Sequence, residues 1–266
     1  MTGPMAPRDL LAWYLDAGVD EAIGDRPVNR YAAVARPAPV AEPPPAPDPA
    51  PPLPAAARAP SGPVQTAYDL AAAAASVEAL GRALESFDDC PLKKTATNLV
   101  FCDGSETARL IMIGEAPGAE EDRQGCPFVG PSGQLLDRML ASVGLDRTQV
   151  LISNTVFWRP PGNRTPTTAE IAACLPFVER LIELVDPAFL VALGGAAAKT
   201  LLARNESVGK LRGKWFPYST PRLPRPVQAT ATYHPAYLLR SPAQKRAVWR
   251  DLLAIKKKMT GDEPEA

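Results

Sequence analysis

Four short apolar runs, each trailed by a stretch of helical periodicity, constrain this chain more than any other feature. ARLIMIG (108–114) and FLVALGG (189–195) are nearly continuous in apolar residues, VLISNTV (150–156) opens the same way, and PVQATATYHP (226–235) is rich in small and β-branched ones. Runs of this length are what strands need when both faces of their sheet are covered. Helical segments separate them: one beginning at Gly133–Leu140, then TTAEIAACLPFVERLIELV (167–185), AAAKTLLA (196–203) and SPAQKRAVWRDLLAIKKK (241–258). Thr167 followed by Glu170 is a capping-box signature, and Ser241 is placed to cap the last helix. A further helix spans about 66–86, with Leu70, Val77, Leu80 and Leu84 at helical spacing. The alternation predicts a three-layer α/β/α domain around a four-stranded, mainly parallel sheet. In such sheets ligands bind beyond the carboxyl ends of the strands. The loop after the first run, Asn154 near the end of the second, and His234 after the fourth then converge on one cleft.

The remaining chain is organised differently. Residues 8–23 read as a short amphipathic helix, with Leu11, Tyr14, Leu15, Val19 and Ile23 near helical spacing; it either caps the core or serves a partner. Residues 37–63 contain 12 of the 31 prolines and form a linker that builds no core. The expected layout is an N-terminal helical segment (1–32), a Pro/Ala-rich linker (33–65), the α/β domain (66–260) and a short tail (261–266). The N-terminus lacks the basic start of a signal peptide, and no run approaches a membrane span. The four cysteines, Cys90, Cys102, Cys126 and Cys174, form no C-x-x-C pair. A monomeric cytoplasmic protein with free thiols is expected. Acidic and basic residues balance at 29 each, yet residues 199–258 hold 14 Lys/Arg against only Glu206 and Asp251. That asymmetry fits either a polyanion partner or a solvated basic face.

The first inter-element loop, GEAPGAEEDRQGCPFVGPSG (114–133), contains a conflict. Five glycines and three prolines expose backbone as a phosphate cradle would, but Glu115, Glu120, Glu121 and Asp122 repel phosphate. A Walker loop would need a lysine, and Gly114 and Gly118 do not fit the dinucleotide fingerprint. A two-metal phosphoesterase would need more acids or histidines on other strand ends. A neutral heterocycle fits better. It wants exposed backbone around Gly114–Gly118, a ring to stack on (Phe128), and an amide to read its edge (Asn154). If it departs as an anion, it also wants a donor, and His234 is the only histidine in the chain. Taken singly, Phe128 fits a core, Asn154 a strand-end turn and His234 a structural imidazole.

Taken in order, GEAPGAEEDRQGCPFVGPSGQLLDRML, SNTVFWRPPGNRTPTTAEIAAC and ATYHPAYLLR closely resemble the family 4 uracil-DNA glycosylases of bacteria and archaea, over about residues 87–255. The resemblance implies the fold of that superfamily, uracil-containing DNA, single- or double-stranded, as substrate, and association with the nucleoid through that DNA. It places Gly114, Glu115 and Ala116 on the reaction side of the pocket and Glu121 where thymine's methyl is excluded. It puts Phe128 under the uracil ring, Asn154 at O4 and N3–H, and His234 at O2. Leu238 matches the minor-groove wedge, and Arg240, Lys245 and Arg246 follow as DNA contacts. Catalysis falls to Glu115, His234 and Asn154. The acids would also favour the positive sugar of the transition state.

The chain also departs from that family. Its four iron–sulfur cysteines correspond here to Phe87, Cys90, Trp158 and Cys174, so no cluster or other cofactor is expected. A related branch traps uracil-DNA covalently through a histidine in a loop near the second motif; here that region reads FWRPPGNRTP, with no histidine, so trapping by that route is not expected. Ala116 stands where family 1 enzymes have an aspartate, which leaves Glu115 to orient water. The implied activity is monofunctional: uracil is excised and an abasic site remains. The alternatives are a sensor that binds uracil or abasic sites without cleaving, and a glycosylase of other deaminated bases such as hypoxanthine or xanthine.

Overall fold

The computed structural model describes residues 62–261. Its centre follows from the first apolar run. Leu110, Ile111, Met112 and Ile113 are all fully buried. Leu110 and Met112 join one apolar layer, Ile111 and Ile113 the other, because successive strand side chains point to opposite faces. Burying each such side chain contributes about 1.5–3 kcal/mol.

Two helices, α1 (Pro63–Ala73) and α2 (Val77–Ser86), open the domain. The single helix expected over 66–86 is broken at residues 74–76. There the Ser76 hydroxyl accepts the Ala79 N–H and starts α2 afresh. Then follow β1 (Cys102–Gly104), β2 (Leu110–Gly114), α3 (Ala119–Gln124), α4 (Pro131–Ala141), β3 (Val150–Asn154) and α5 (Thr168–Val185). The second half holds β4 (Phe189–Leu193), α6 (Gly195–Leu202), α7 (Val208–Leu211), β5 (Phe216–Tyr218), β6 (Val227–Thr232), α8 (Pro235–Arg240) and α9 (Lys245–Thr260). The capping box of α5 forms: the Glu170 N–H donates to the Thr167 hydroxyl and the Thr167 N–H to the Glu170 carboxylate, at 3.3 and 2.7 Å. Ser241 does not cap the last helix. It precedes a single 3₁₀ turn at Pro242–Gln244, and α9 begins only after it.

The sheet has six strands in the order β1-β3-β2-β4-β6-β5. The four central strands are parallel, as the apolar runs imply; β1 and β5 pair antiparallel at the two edges. The expected count of four is thus two short. Each edge strand has only three residues and no apolar run, and β5 carries Pro217, which only an edge tolerates. Helices α1, α2, α5 and α6 cover one face, and α4, α8 and α9 the other, which completes the three layers. No helix among the described residues is long and apolar enough to cross a membrane. The N-terminal helix expected over 8–23 and nearly all of the proline-rich linker lie outside the described residues.

Candidate functional site

The carboxyl ends of β2, β3 and β6 open into one cleft of about 470 Å³. Its walls are built from the backbone outward. Gly114 ends β2 in register with Asn154 at the end of β3. The Thr155 N–H donates to the Gly114 carbonyl at 2.9 Å, and the Thr155 hydroxyl to the Glu115 carbonyl at 2.7 Å. A β-carbon on Gly114 would lie 2.6 Å from Asn154 Oδ1 and 2.6 Å from Phe128 Cζ. Only a bare α-carbon lets these two side chains close around it.

Phe128 is 4% exposed and lines the cleft in a left-handed conformation, φ 54°. Such a backbone costs a bulky residue about 1–3 kcal/mol and persists only where its surroundings impose it. Arg147 does so from behind. Its guanidinium donates to the carbonyls of Pro127 (3.1 Å) and Phe128, and it is held in turn by Asp103 (2.6 Å) and Asp137 (2.8 Å). Gly133 completes the seat, since a β-carbon there would lie 1.6 Å from the Phe128 carbonyl oxygen.

The acids of the loop have separate tasks, which corrects their reading as one group. Residues 119–124 form α3 rather than loop. The Glu121 carboxylate accepts the N–H groups of Gly118 (3.1 Å) and Gly130 (2.8 Å), tying both ends of the segment together along the cleft wall. Asp122 faces away and accepts the N–H groups of Thr97 and Asn98, while Glu120 pairs outward with Arg123. Only Glu115 and Glu121 line the cleft. Among the described residues the Glu115 carboxylate joins no ion pair. Ala116 lies beside it, half-buried at the cleft wall.

Asn154 is 1% exposed, lines the cleft, and its Oδ1 is a buried acceptor with no partner among the described residues. An amide oxygen without a donor costs about 1–3 kcal/mol, and this one lies at the cleft, where a donor on a bound molecule would satisfy it. Opposite, His234 precedes α8. Its Nδ1 accepts the Ala236 N–H at 3.1 Å, which leaves the proton of the neutral ring on Nε2. Burial, and then the charge of Arg240, push its pKa down to about 4 against an opposing pull from Glu121. The ring leans on Phe128 with centroids 5.6 Å apart.

The structure therefore brings Glu115, Ala116, Glu121, Phe128, Asn154, His234 and Arg240 to one cleft, with Gly114 beneath. Leu238 is not on the surface. It is 0% exposed and packs in the core between α4 and α9, so the wedge assignment fails there; the apolar side chain that protrudes is Leu239, at 44%. Helical geometry turns the neighbour outward, a one-residue distinction that motif matching does not make. Lys245 and Arg246 are exposed at the start of α9 and do not line the cleft; Lys245 borders a separate apolar dimple beside Trp249. The sequence reading does not single out Asn163, Arg164 or Tyr237, which also line the cleft. Arg164 is fixed by two bonds to Glu170, at 2.8 and 2.6 Å, which hold the Glu170 carboxyl down to about 2. The one legible signal for this wall was Glu170 itself, whose capping role implies a rigid start to α5 beside it.

Phe87, Cys90, Trp158 and Cys174 are all buried in the same apolar layer. The Cys174 thiol donates to the Cys90 sulfur at 3.8 Å, which raises the pKa of Cys174 and lowers that of Cys90. Phe87 packs on Phe177, and Trp158 edge-on against Phe157, at centroid distances of 5.1 and 6.4 Å. Among the described residues no three His, Cys, Asp or Glu side chains group to hold a metal ion.

Comparison with known proteins adds an independent line. The family model of the uracil DNA glycosylase superfamily matches residues 101–253. Type-4 uracil-DNA glycosylase of Pyrobaculum aerophilum is 39% identical over 180 residues, 66% of this chain and 91% of the relative. The protein of the same name from Archaeoglobus fulgidus is 39% identical over 184 residues, 68% of this chain and 92% of the relative. That of Thermotoga maritima is 39% identical over 166 residues, 61% and 84% of the two chains.

Proposed function

This chain belongs to the uracil-DNA glycosylase superfamily, and from that premise we propose that the cleft takes a uracil flipped out of DNA and releases it by hydrolysing the N-glycosidic bond. One observation carries the reading: a buried Asn154 Oδ1, without a partner among the described residues, close to the Phe128 ring. Uracil offers an N–H at N3 to that oxygen and a carbonyl at C4 to the amide nitrogen. Cytosine presents a lone pair at N3, and two acceptors would then face each other without water. Phe128 supplies the stacking face. Glu121, its carboxylate pinned by two backbone amides, forms a fixed wall against the thymine methyl.

The chemistry follows from the same geometry. Uracil leaves N1 as an anion while the sugar gains positive charge, so stabilising the departing oxygen matters more than nucleophilic strength. His234, neutral and protonated on Nε2, donates to O2 of the leaving base. Glu115, at the cleft wall, holds the attacking water and faces the sugar's charge. Water adds to C1′, its proton passes to the carboxylate or solvent, and an abasic site remains. Leu239 replaces Leu238 as the side chain that fills the gap left in the duplex. Arg240 at the rim, with Lys245 and Arg246 beyond it, meets phosphates.

The iron–sulfur cluster of family 4 does not fit this chain. A cluster of that type needs four thiolates; two of its positions are apolar rings packed into the core, and at the other two the Cys174 thiol hydrogen-bonds to the free Cys90. We infer that aromatic packing replaces the cluster. Stoichiometric iron and sulfide in anaerobically purified protein would refute this.

The test of the function is release of free uracil from a uracil-containing oligonucleotide, followed in a single turnover beside its thymine counterpart and a hypoxanthine and xanthine panel. Uracil release with an alkali-labile site is expected. Tight binding without release would make the protein a sensor, and faster hypoxanthine or xanthine release would reassign the substrate.

A further inference from the structure

We propose that Tyr237 is a stacking shelf for the base next to the flipped uracil, which fits this site to uracil in single-stranded DNA as well as in duplex. The inference rests on the glycosylase reading above and adds to it the substrate's local structure. Tyr237 lines the mouth of the cleft, yet 36% of it remains exposed. Its backbone is tied to the base-reading histidine: the Tyr237 N–H donates to the His234 carbonyl at 2.9 Å. Its ring stands 5.0 Å from that of Tyr233, tilted by 38°. Tyr233 is itself backed by the Arg212 guanidinium, 5.6 Å from its ring centroid. Arg212 is immobilised by two bonds to the buried Asp251, at 3.0 and 2.8 Å, and Asp251 also accepts the Thr232 hydroxyl at 2.7 Å. An exposed aromatic at the lining of the cleft is thus supported from the core outward, by an ion pair, a ring and a helix start.

Flipping a base leaves the face of its neighbour bare. In duplex the opposite strand and an inserted apolar side chain compensate, the task proposed above for the exposed Leu239. In a single strand nothing does, and an aromatic face is the sequence-tolerant replacement. A ring held rigid before the strand arrives loses little entropy on stacking.

Single-turnover excision separates the possibilities. Two single-stranded substrates are compared: uracil flanked by ordinary nucleotides, and uracil flanked by baseless tetrahydrofuran nucleotides. The wild type is expected to favour the first by about 10-fold in kcat/KM, a ratio within the range of base–aromatic stacking. Tyr237→Ala should lose that preference, slowing on the first substrate and not on the second. Tyr237→Phe, which keeps the ring, should retain it. Indifference of the wild type to the flanking bases, or persistence of the preference in Tyr237→Ala, overturns the shelf. Equal loss on both substrates also overturns it, because Tyr237 would then only support the fold. Failure of the wild type to release uracil from either substrate strikes the glycosylase reading itself.

Discussion

Gly114→Ala is the smallest change that reaches both walls of the pocket at once. The added β-carbon would stand 2.6 Å from Asn154 Oδ1 and 2.6 Å from Phe128 Cζ. Carbon contacts settle at about 3.5–4.0 Å, so the ring and the amide must each retreat by roughly 1 Å. Neither retreat is easy. The Phe128 backbone is fixed by Arg147 and pressed by Gly133, and Asn154 continues a fully buried strand. A displacement of about 1 Å at a reacting centre costs on the order of 10² in rate. Overpacking should also cost about 1–3 kcal/mol of stability, visible in a denaturant midpoint. DNA affinity should change little, since Arg240, Lys245 and Arg246, the proposed phosphate contacts, are not displaced. The assay is single-turnover uracil release together with titration of uncleaved DNA. A rate within a few fold of the parent, in a folded variant, would refute the close approach of Asn154 and Phe128 over Gly114.

His234→Ala should lose about 10²–10³ in kcat, as loss of one oxyanion donor does, with DNA binding largely kept. Because the folded-state pKa of His234 lies near 4, below its ordinary 6.5, the neutral donor persists as pH falls from 8 to 5 and is lost only towards 4; a rate that declines from pH 6 to 8 would instead mark a cation as the active form. Arg147→Ala should release the left-handed Phe128 and weaken uracil product inhibition as well as kcat/KM, with partial rescue in Arg147→Lys; in a Phe128→Ala background the Arg147 change should add little, and full additivity would show that Arg147 acts elsewhere. Leu239→Ala should slow duplex excision while leaving the denaturant midpoint in place, whereas Leu238→Ala should cost about 2–5 kcal/mol of stability; the reverse pattern would restore Leu238 as the wedge.

The central sheet was legible because β2, β3 and β4 are buried on both faces, which favours short, nearly continuous apolar runs, while β6, with Gln228 exposed, was legible by its small and β-branched residues. The edge strands were not, since Cys102–Gly104 and Phe216–Tyr218 are held by neighbours rather than by composition. Asn154 and His234 could be placed at the cleft because strand ends fix where a following residue must lie. Side-chain direction within α8 could not: Leu238 and Leu239 are adjacent and chemically identical, and only the packing of α8 against α4 decides which is buried. The acids of α3 illustrate the same limit. Composition shows that four carboxylates lie close together, but backbone amides of residues 97–98, 118 and 130 settle which of them turn inward. Arg147 was hidden for a different reason, because its function is to hold main-chain carbonyls and no sequence pattern records that.

Asn154 is the proposed reader of the base edge, and the specificity for uracil depends on it. Asn154→Asp replaces the amide with a group that cannot donate to O4 when ionised and that brings a buried charge beside Phe128. Single-turnover excision of uracil by this variant, measured against the parent on one oligonucleotide, is predicted to fall by ~10²-fold or more with DNA binding retained. Near-parental excision would remove Asn154 from the pocket and, with it, the reading of its unpartnered oxygen as the seat of uracil's N3–H.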